Sequence, residues 1–364
     1  MILPLLIGLT LAGHQDSTLP RYTFAAGEEG WTVIQPTGDA AKVTAVHDPA
    51  HLKVGPGTLD FSYKVQVGQV GAALLAVGAG KLAGMKSIHF WIQSDHSSTI
   101  AINLQEKDGG RYTAMCHVTK GRWQEINLSL SDFSLATEPD APKDPDGKLD
   151  PEAVEGMMIG DVDSFLVQNT AMSSAMGITA GPRHLYFSDF QFSDAKVSDT
   201  SFSGPDSYVF DNFSRPQCDW LGVGLTSMDL VTDSPFAGKW LKLDYHSASG
   251  HINGVARSVR VGSLAGKTKL VMELASTREC MLVVQLEETD GQKFNSIVTV
   301  PGMAKSTEVS VAISDFKISD DSPNKNGKQN LANVKQIVIL DMSGMQGGAD
   351  QDATLWLGAI MARA

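Results

Sequence analysis

The stretch "LAGMKSIHFWIQSD", Leu82 to Asp95, returns as "LAGKTKLVMELAST", Leu264 to Thr277, 182 residues further along. In the first copy Ile88, Phe90 and Ile92 fall on one side of an extended chain, and in the second Leu270, Met272 and Leu274 do the same. Alternation with a period of two is the signature of a strand with one buried face. The next runs keep the offset: "IAINLQEKDGGRY" from Ile100 meets "LVVQLEETDGQKF" from Leu282. Then "INLSLSDFSL" meets "VSVAISDFKI", "DGKLDPEAVEGMMIGDV" meets "NGKQNLANVKQIVILDM", and "HLYFSDFQF" meets "TLWLGAIMA". The offset drifts only between these segments, where loops absorb insertions. Matches in one order along the chain point to a duplicated domain.

The limits of the two copies follow from composition. "SDAKVSDTSFSGPDS", Ser193 to Ser207, is rich in Ser, Asp and Gly and lacks apolar periodicity, so residues 195–206 read as a linker. One domain then covers 20–194 and the other 207–364. A chain of 364 residues with 42% hydrophobic residues is long enough for two cores. Its 35 glycines and many short β-branched runs favour an all-β fold: two tandem β-sandwich, jelly-roll-like domains. One helix is expected in "LDPEAVEGMM", with Asp150 as N-cap, Pro151 at the first helical position and Glu152 at the positive end of the dipole.

Charge and motifs narrow the function. A net charge of −12 without a dense Lys/Arg block disfavours nucleic acid. The apolar run Ile2 to Ala12 is too short to span a bilayer and fits a secretory signal over residues 1–13, although no Lys or Arg precedes it. That predicts a protein outside the cell or in a periplasm; a mis-assigned start codon or a buried first strand is the competing reading. Cys116, Cys218 and Cys280 form no disulfide framework. No βαβ alternation, phosphate loop, G-x-S-x-G, H-E-x-x-H or cysteine zinc pattern occurs, so neither a nucleotide cofactor nor an enzyme class is indicated. His47 and His51 stand four apart, but Pro49 between them keeps them off a shared helical face, and they read as loop histidines.

The second face of the same strands holds the candidate binding residues. It carries His89, Trp91 and Gln93, then Ala101, Asn103 and Gln105, then Thr113, Met115 and His117. An aromatic plane packs on the C–H groups of a sugar while amides and carboxylates satisfy its hydroxyls, so this stripe suits a polysaccharide or glycan. Alternatively Trp91 covers a sheet edge or packs under a loop, as tryptophan is buried on average. In the second copy the matching positions are Val271, Glu273 and Ala275, then Val283, Gln285 and Glu287, with Asn295 and Thr299 beyond. Glu273, Gln285 and Glu287 form either a second site or a solvated face.

The order "I.FWI.SD", "I.L.E.DG..Y", "LSDF.L" and "LYFSDF.F" resembles the galactose-binding-like β-sandwich, and more narrowly the domains of carbohydrate-binding module family eleven and the complex I intermediate-associated protein family. The resemblance implies a secreted, non-catalytic carbohydrate-binding protein, or alternatively a protein-binding assembly factor. It also implies a structural calcium between an acid after the first strand and one on the last. Here each copy keeps half of that pair: Asp189 in "FSDF" and Asp211 in "VFDNF". The acidic stretch "ATEPDAPKDPDGKLD" offers Asp144, Asp146 and Asp150 as further oxygens, interrupted by Pro142 and Pro145, and reads as a solvated loop.

Overall fold

The computed structural model describes residues 19–34, 41–136, 144–197, 203–204, 206–323, 327–347 and 350–364. The expected signal segment and part of the expected linker lie outside the described residues. Four antiparallel sheets form two sandwiches. The first sandwich has a front sheet in the order β3 (Lys42–Val46), β4 (Thr58–Val65), β12 (Gly181–Ser193), β6 (Ser87–Ser94), β9 (Gln124–Ser129), with β1 (Arg21–Tyr22) added to β12. Its back sheet runs β10 (Ser134–Leu135), β8 (Arg111–Val118), β7 (Ser98–Glu106), β11 (Val154–Asp161), β5 (Ala72–Ala76), β2 (Trp31–Ile34). The second sandwich repeats the plan. Its front sheet holds β13 (Ser203–Gly204), β14 (Ser207–Asp211), β25 (Gln351–Arg363), β17 (Trp240–Ser247) and β16 (Ser227–Val231), with β19 (Lys269–Ser276) joining β25 to β22 (Thr307–Ala312). Its back sheet runs β15 (Leu221–Val223), β18 (Asn253–Ser258), β24 (Val334–Asp341), β20 (Cys280–Glu288), β21 (Lys293–Val300), β23 (Lys317–Ile318).

Alternation builds each core. Ile88, Phe90 and Ile92 point inward from the front and Ile100, Ile102 and Leu104 from the back, all fully buried. Full burial of such a side chain contributes roughly 1.5–3 kcal/mol. Aromatic residues fill the middle: Phe90 stacks on Phe190 at 4.8 Å, and Trp31 meets Phe190 edge-on at 5.2 Å. The second core is separate, with Leu270, Met272, Leu282 and Val284 in the matching places.

The expected helix at Pro151 is a correction. Only Pro151–Ala153 form a turn of 3-10 helix, and β11 begins at Val154. The apolar residues after it are spaced for an inward strand face, and the strand ladder with β5 and β7 outweighs the N-terminal helix signal. Short helices follow instead at α1 (Val162–Leu166) and α2 (Thr170–Ala175).

Both copies repeat one buried polar lock. Tyr63 Oη donates to Asp161 Oδ2 at 2.7 Å, and Tyr245 Oη to Asp341 Oδ2 at 2.7 Å. A guanidinium neutralises each carboxylate: Arg183 on Asp161 at 2.8 Å, Arg278 on Asp341. The pairing ties the rim of the front sheet to the end of β11 or β24, where an unpaired charge is costly.

The halves also meet. His117 N donates to the carbonyl of Cys218 at 2.7 Å, and Arg215 grips both oxygens of Asp132 at 2.6 and 2.8 Å. Asp229 accepts from Thr119 at 2.8 Å and from Arg122 at 3.0 Å.

Candidate functional site

The outer face of the first front sheet collects most of the glycan-type chemistry. Along β12, Leu185 and Phe187 turn inward, so His184, Tyr186 and Ser188 turn outward. Register then lays out three rows. Tyr186 stands between Asp60 of β4 and Gln93 of β6. Ser188 faces Trp91, which faces Glu125 of β9. Gln191 faces His89, which faces Asn127. A bulge between Ser188 and Gln191 gives Asp189 a φ of 50° and returns Phe190 to the core.

Hydrogen bonds fix the polar members. Gln191 Nε2 lies 2.9 Å from His89 Nδ1, and His89 Nε2 lies 3.0 Å from Glu125 Oε1, a chain that orients the imidazole as donor to the carboxylate. His184 Nδ1 sits 2.9 Å from Asp60 Oδ1. Gln93 Nε2 donates to the Gly121 carbonyl at 3.0 Å, leaving its oxygen as a free acceptor among the described residues. Burial, then Asp60 and Asp95, raise the Tyr186 pKa, so its hydroxyl stays a donor at neutral pH.

A loop lies over part of this face. His51, at the end of a 3-10 turn capped by Asp48, stacks on Tyr186 at 4.3 Å and 11°. Lys53 places its ammonium 4.3 Å from the centre of the Trp91 ring. Ser188 holds the loop down, donating to the Val54 carbonyl at 2.7 Å and accepting from its N–H at 3.1 Å. Trp91 and Tyr186 are half-buried.

The expected stripe is divided between two sheets. His89, Trp91 and Gln93 are on the front, whereas Asn103, Gln105 and His117 are on the back. The chain between β6 and β7 crosses the edge of the sandwich instead of forming a hairpin, so sequence neighbours become opposite walls. Asn103 accepts from Thr113 at 2.6 Å, and Gln105 donates to the carbonyls of Glu106 and Gly110 at 3.0 and 3.1 Å. His117 is buried at the meeting of the halves. In the second copy Glu273 is on the front sheet, with Gln285 and Glu287 on the back. Gln285 donates to Asn295 at 2.9 Å and Glu287 pairs with Lys335 at 3.0 Å. Sequence reading missed His51, Asp60, Glu125, His184, Tyr186 and Gln191. The alternation in "HLYFSDFQF" carried the signal for His184 and Tyr186.

The matching face of the second half is covered. Trp240 and Trp356 are 4% and 8% exposed beneath Phe236, whose ring lies 4.7 and 5.8 Å from theirs. Glu273 lies against Gly358, where an added Cβ would come within 2.7 Å of the glutamate Cβ.

At the two calcium candidates each carboxylate already has an arginine partner. Asp189 accepts from Arg21 Nε at 2.7 Å, and Asp211 is paired with Arg257 while accepting from Trp220 Nε1 at 3.0 Å and Phe213 N at 2.7 Å. A guanidinium stands where a cation would, which suits neither position to calcium. In the acidic stretch, Asp144 does approach Glu106 and Asp108, with ligand-type oxygens within 4.8 Å of one another. Burial first, then these acids, push Glu106 up to about 7 despite its bond from Asp150 N. Asp146 instead accepts from Lys148 N at 2.9 Å, and residues 137–143 lie outside the described residues.

No family model matches the chain and no curated protein matches it, so the resemblance to the complex I intermediate-associated family finds no support. Among solved structures the chain is similar to the family 11 carbohydrate-binding module of Clostridium thermocellum in complex with a β-1,3-1,4-mixed-linked tetrasaccharide (14% identity, 44% of this chain, 96% of that one, TM-score 0.36). It is similar along 95% of its length to the tandem pair of family 22 modules from Paenibacillus barcinonensis Xyn10C (11% identity, 98% of that chain, TM-score 0.29). It also matches a quarter of the agarase AgWH50C (11% identity, 44% of this chain, 25% of that one, TM-score 0.33). Among the described residues no helix is long and apolar enough to cross a membrane.

Proposed function

We propose that the protein is a secreted, non-catalytic glycan-binding protein whose site is the outer face of the first front sheet. The observation that supports this reading is the set of three rows on one sheet. Two accessible aromatic rings, Trp91 and Tyr186, lie among His89, His184, Gln93, Asp60 and Glu125. Ring faces take sugar C–H groups and the polar side chains take hydroxyls, with no reacting group needed. The second half acts as a partner module, and its Glu273, Gln285 and Glu287 are left out of the site. The repeat limits, 20–194 and 207–364, serve as the domain limits.

Affinity electrophoresis and calorimetry on a polysaccharide panel test the proposal. Mixed-linked β-glucan, xylan and agarose come first, following the names of the similar structures. Binding by the wild type that falls at least tenfold in folded Trp91→Ala and Tyr186→Ala supports it; retained binding in both refutes the site. A cleaved N-terminus near Ala12 in exported material tests the localisation.

A further inference from the structure

A cavity of about 210 Å³ opens where the two halves meet, between the β6–β7 connection and the segment after α2 of the first and the β15–β16 turn of the second. Its lining is amphipathic: Thr99 and Thr226 carry hydroxyls, Ile178 and Met228 are apolar, and His117 and Arg183 supply ring and guanidinium nitrogens.

Those last two side chains are the informative ones. His117 is 7% exposed and Arg183 2%, yet among the described residues both ring nitrogens of His117 and the Nε of Arg183 have no hydrogen-bond partner. The Met228 carbonyl lies near the imidazole, outside hydrogen-bond geometry. Buried polar atoms are otherwise satisfied almost everywhere in folded proteins, and each exception calls for a water, an ion or a ligand. The remaining nitrogens of Arg183 are committed: Nη1 to Ser98, Asp161 and Asp163 at 3.1, 2.8 and 2.7 Å, Nη2 to the Thr179 carbonyl at 2.9 Å.

The charge balance selects the occupant. Asp161 and Asp163 already neutralise Arg183, so the cavity offers no free positive charge to an anion. The guanidinium in its wall opposes a metal ion. Burial lowers the His117 pKa to about 4, so at neutral pH one ring nitrogen donates and the other accepts. A hydroxyl does both at once. We propose that this cavity is a second binding site, shared by the two halves, for one neutral, hydroxyl-rich unit such as a monosaccharide or the terminal residue of a glycan. It is distinct from the outer face carrying Trp91.

Saturation-transfer NMR and thermal melting with D-glucose, D-galactose, D-xylose and D-mannose at millimolar concentration test it on the full chain. The expected result is a bound monosaccharide and a raised Tm in the wild type. Both effects weaken at least tenfold in His117→Phe and in the near-isosteric Thr99→Val, and stay within twofold of wild type in Ile297→Ala, an exposed position on β21 outside both sites. His117→Phe removes two unpaired polar atoms without leaving a void, and Thr99→Val gives an independent reading should it misfold. Monosaccharide binding lost in Trp91→Ala but kept in the cavity variants overturns the proposal and leaves the outer-face site standing. No monosaccharide bound by the wild type also overturns it, leaving only solvent in the cavity. The polysaccharide panel judges the outer face separately.

Discussion

The two front sheets share a plan and differ in what lies on top of them. In the first half the loop before β4 puts an imidazole on Tyr186 and an ammonium over Trp91, and both aromatic rings stay half-exposed. In the second half the loop before β17 puts Phe236 on Trp240 and Trp356 and buries them. A polar cover can be displaced by a ligand at little cost, whereas an apolar one is part of the core. The same strand framework therefore carries a half-open, polar-covered aromatic face in one copy and a sealed layer in the other.

The largest way to break this comparison is to truncate the sealed layer. Trp356→Ala should cost about 3–5 kcal/mol of unfolding free energy, the usual range for a buried tryptophan, and leave glycan affinity unchanged. Trp91→Ala should do the reverse, costing at most about 1–2 kcal/mol of stability while abolishing binding. Chemical denaturation beside affinity electrophoresis checks both, and equal stability losses would erase the distinction.

A second test concerns the seam between the halves. The folded-state pKa of His117 lies below its unfolded value, so its contribution is complete above about pH 6.5 and is lost as pH falls through about 4. Up to about 3 kcal/mol should disappear across that window. His117→Phe should flatten the acid limb of Tm against pH. A smaller effect runs the other way at Glu106, whose pKa burial raises. Its contribution is present below about pH 4.5 and is lost as pH rises through about 7. Glu106→Gln should gain on the order of 1 kcal/mol at pH 8, after allowance for screening, and nothing near pH 4. The smallest effect is expected for Lys53→Ala. Freeing the Trp91 face should tighten glycan binding a few-fold, equivalent to under about 1 kcal/mol. Weaker binding would make Lys53 a ligand contact.

Much of the fold was legible because strand alternation is a one-dimensional signal. Ile88, Phe90 and Ile92 face the core as their spacing requires, and the repeat at Leu270, Met272 and Leu274 does too. Alternation says which way a side chain points but not which strand lies beside it. Alternation alone therefore sets Asn103 and Trp91 on one face although a sandwich separates them. Tyr186 and Asp60 are 126 positions apart in the chain and meet only through the pairing of β12 with β4. Asp189 and Asp211 carried an acid signal with no trace of the arginines that answer it, since Arg21 and Arg257 come from distant segments. Pro151 gave a genuine helix start that a strand ladder cut short after one turn.

The seam described above has a mechanical meaning. Any tension along the chain has to cross the junction between the two sandwiches. Arg215 clamped on Asp132 and the Cys218 carbonyl bonded to His117 N lie directly between the two sandwiches. A load entering through the second sandwich reaches the first across several bonds at once instead of through one slack tether, so the junction would resist shear and yield abruptly, as a latch does.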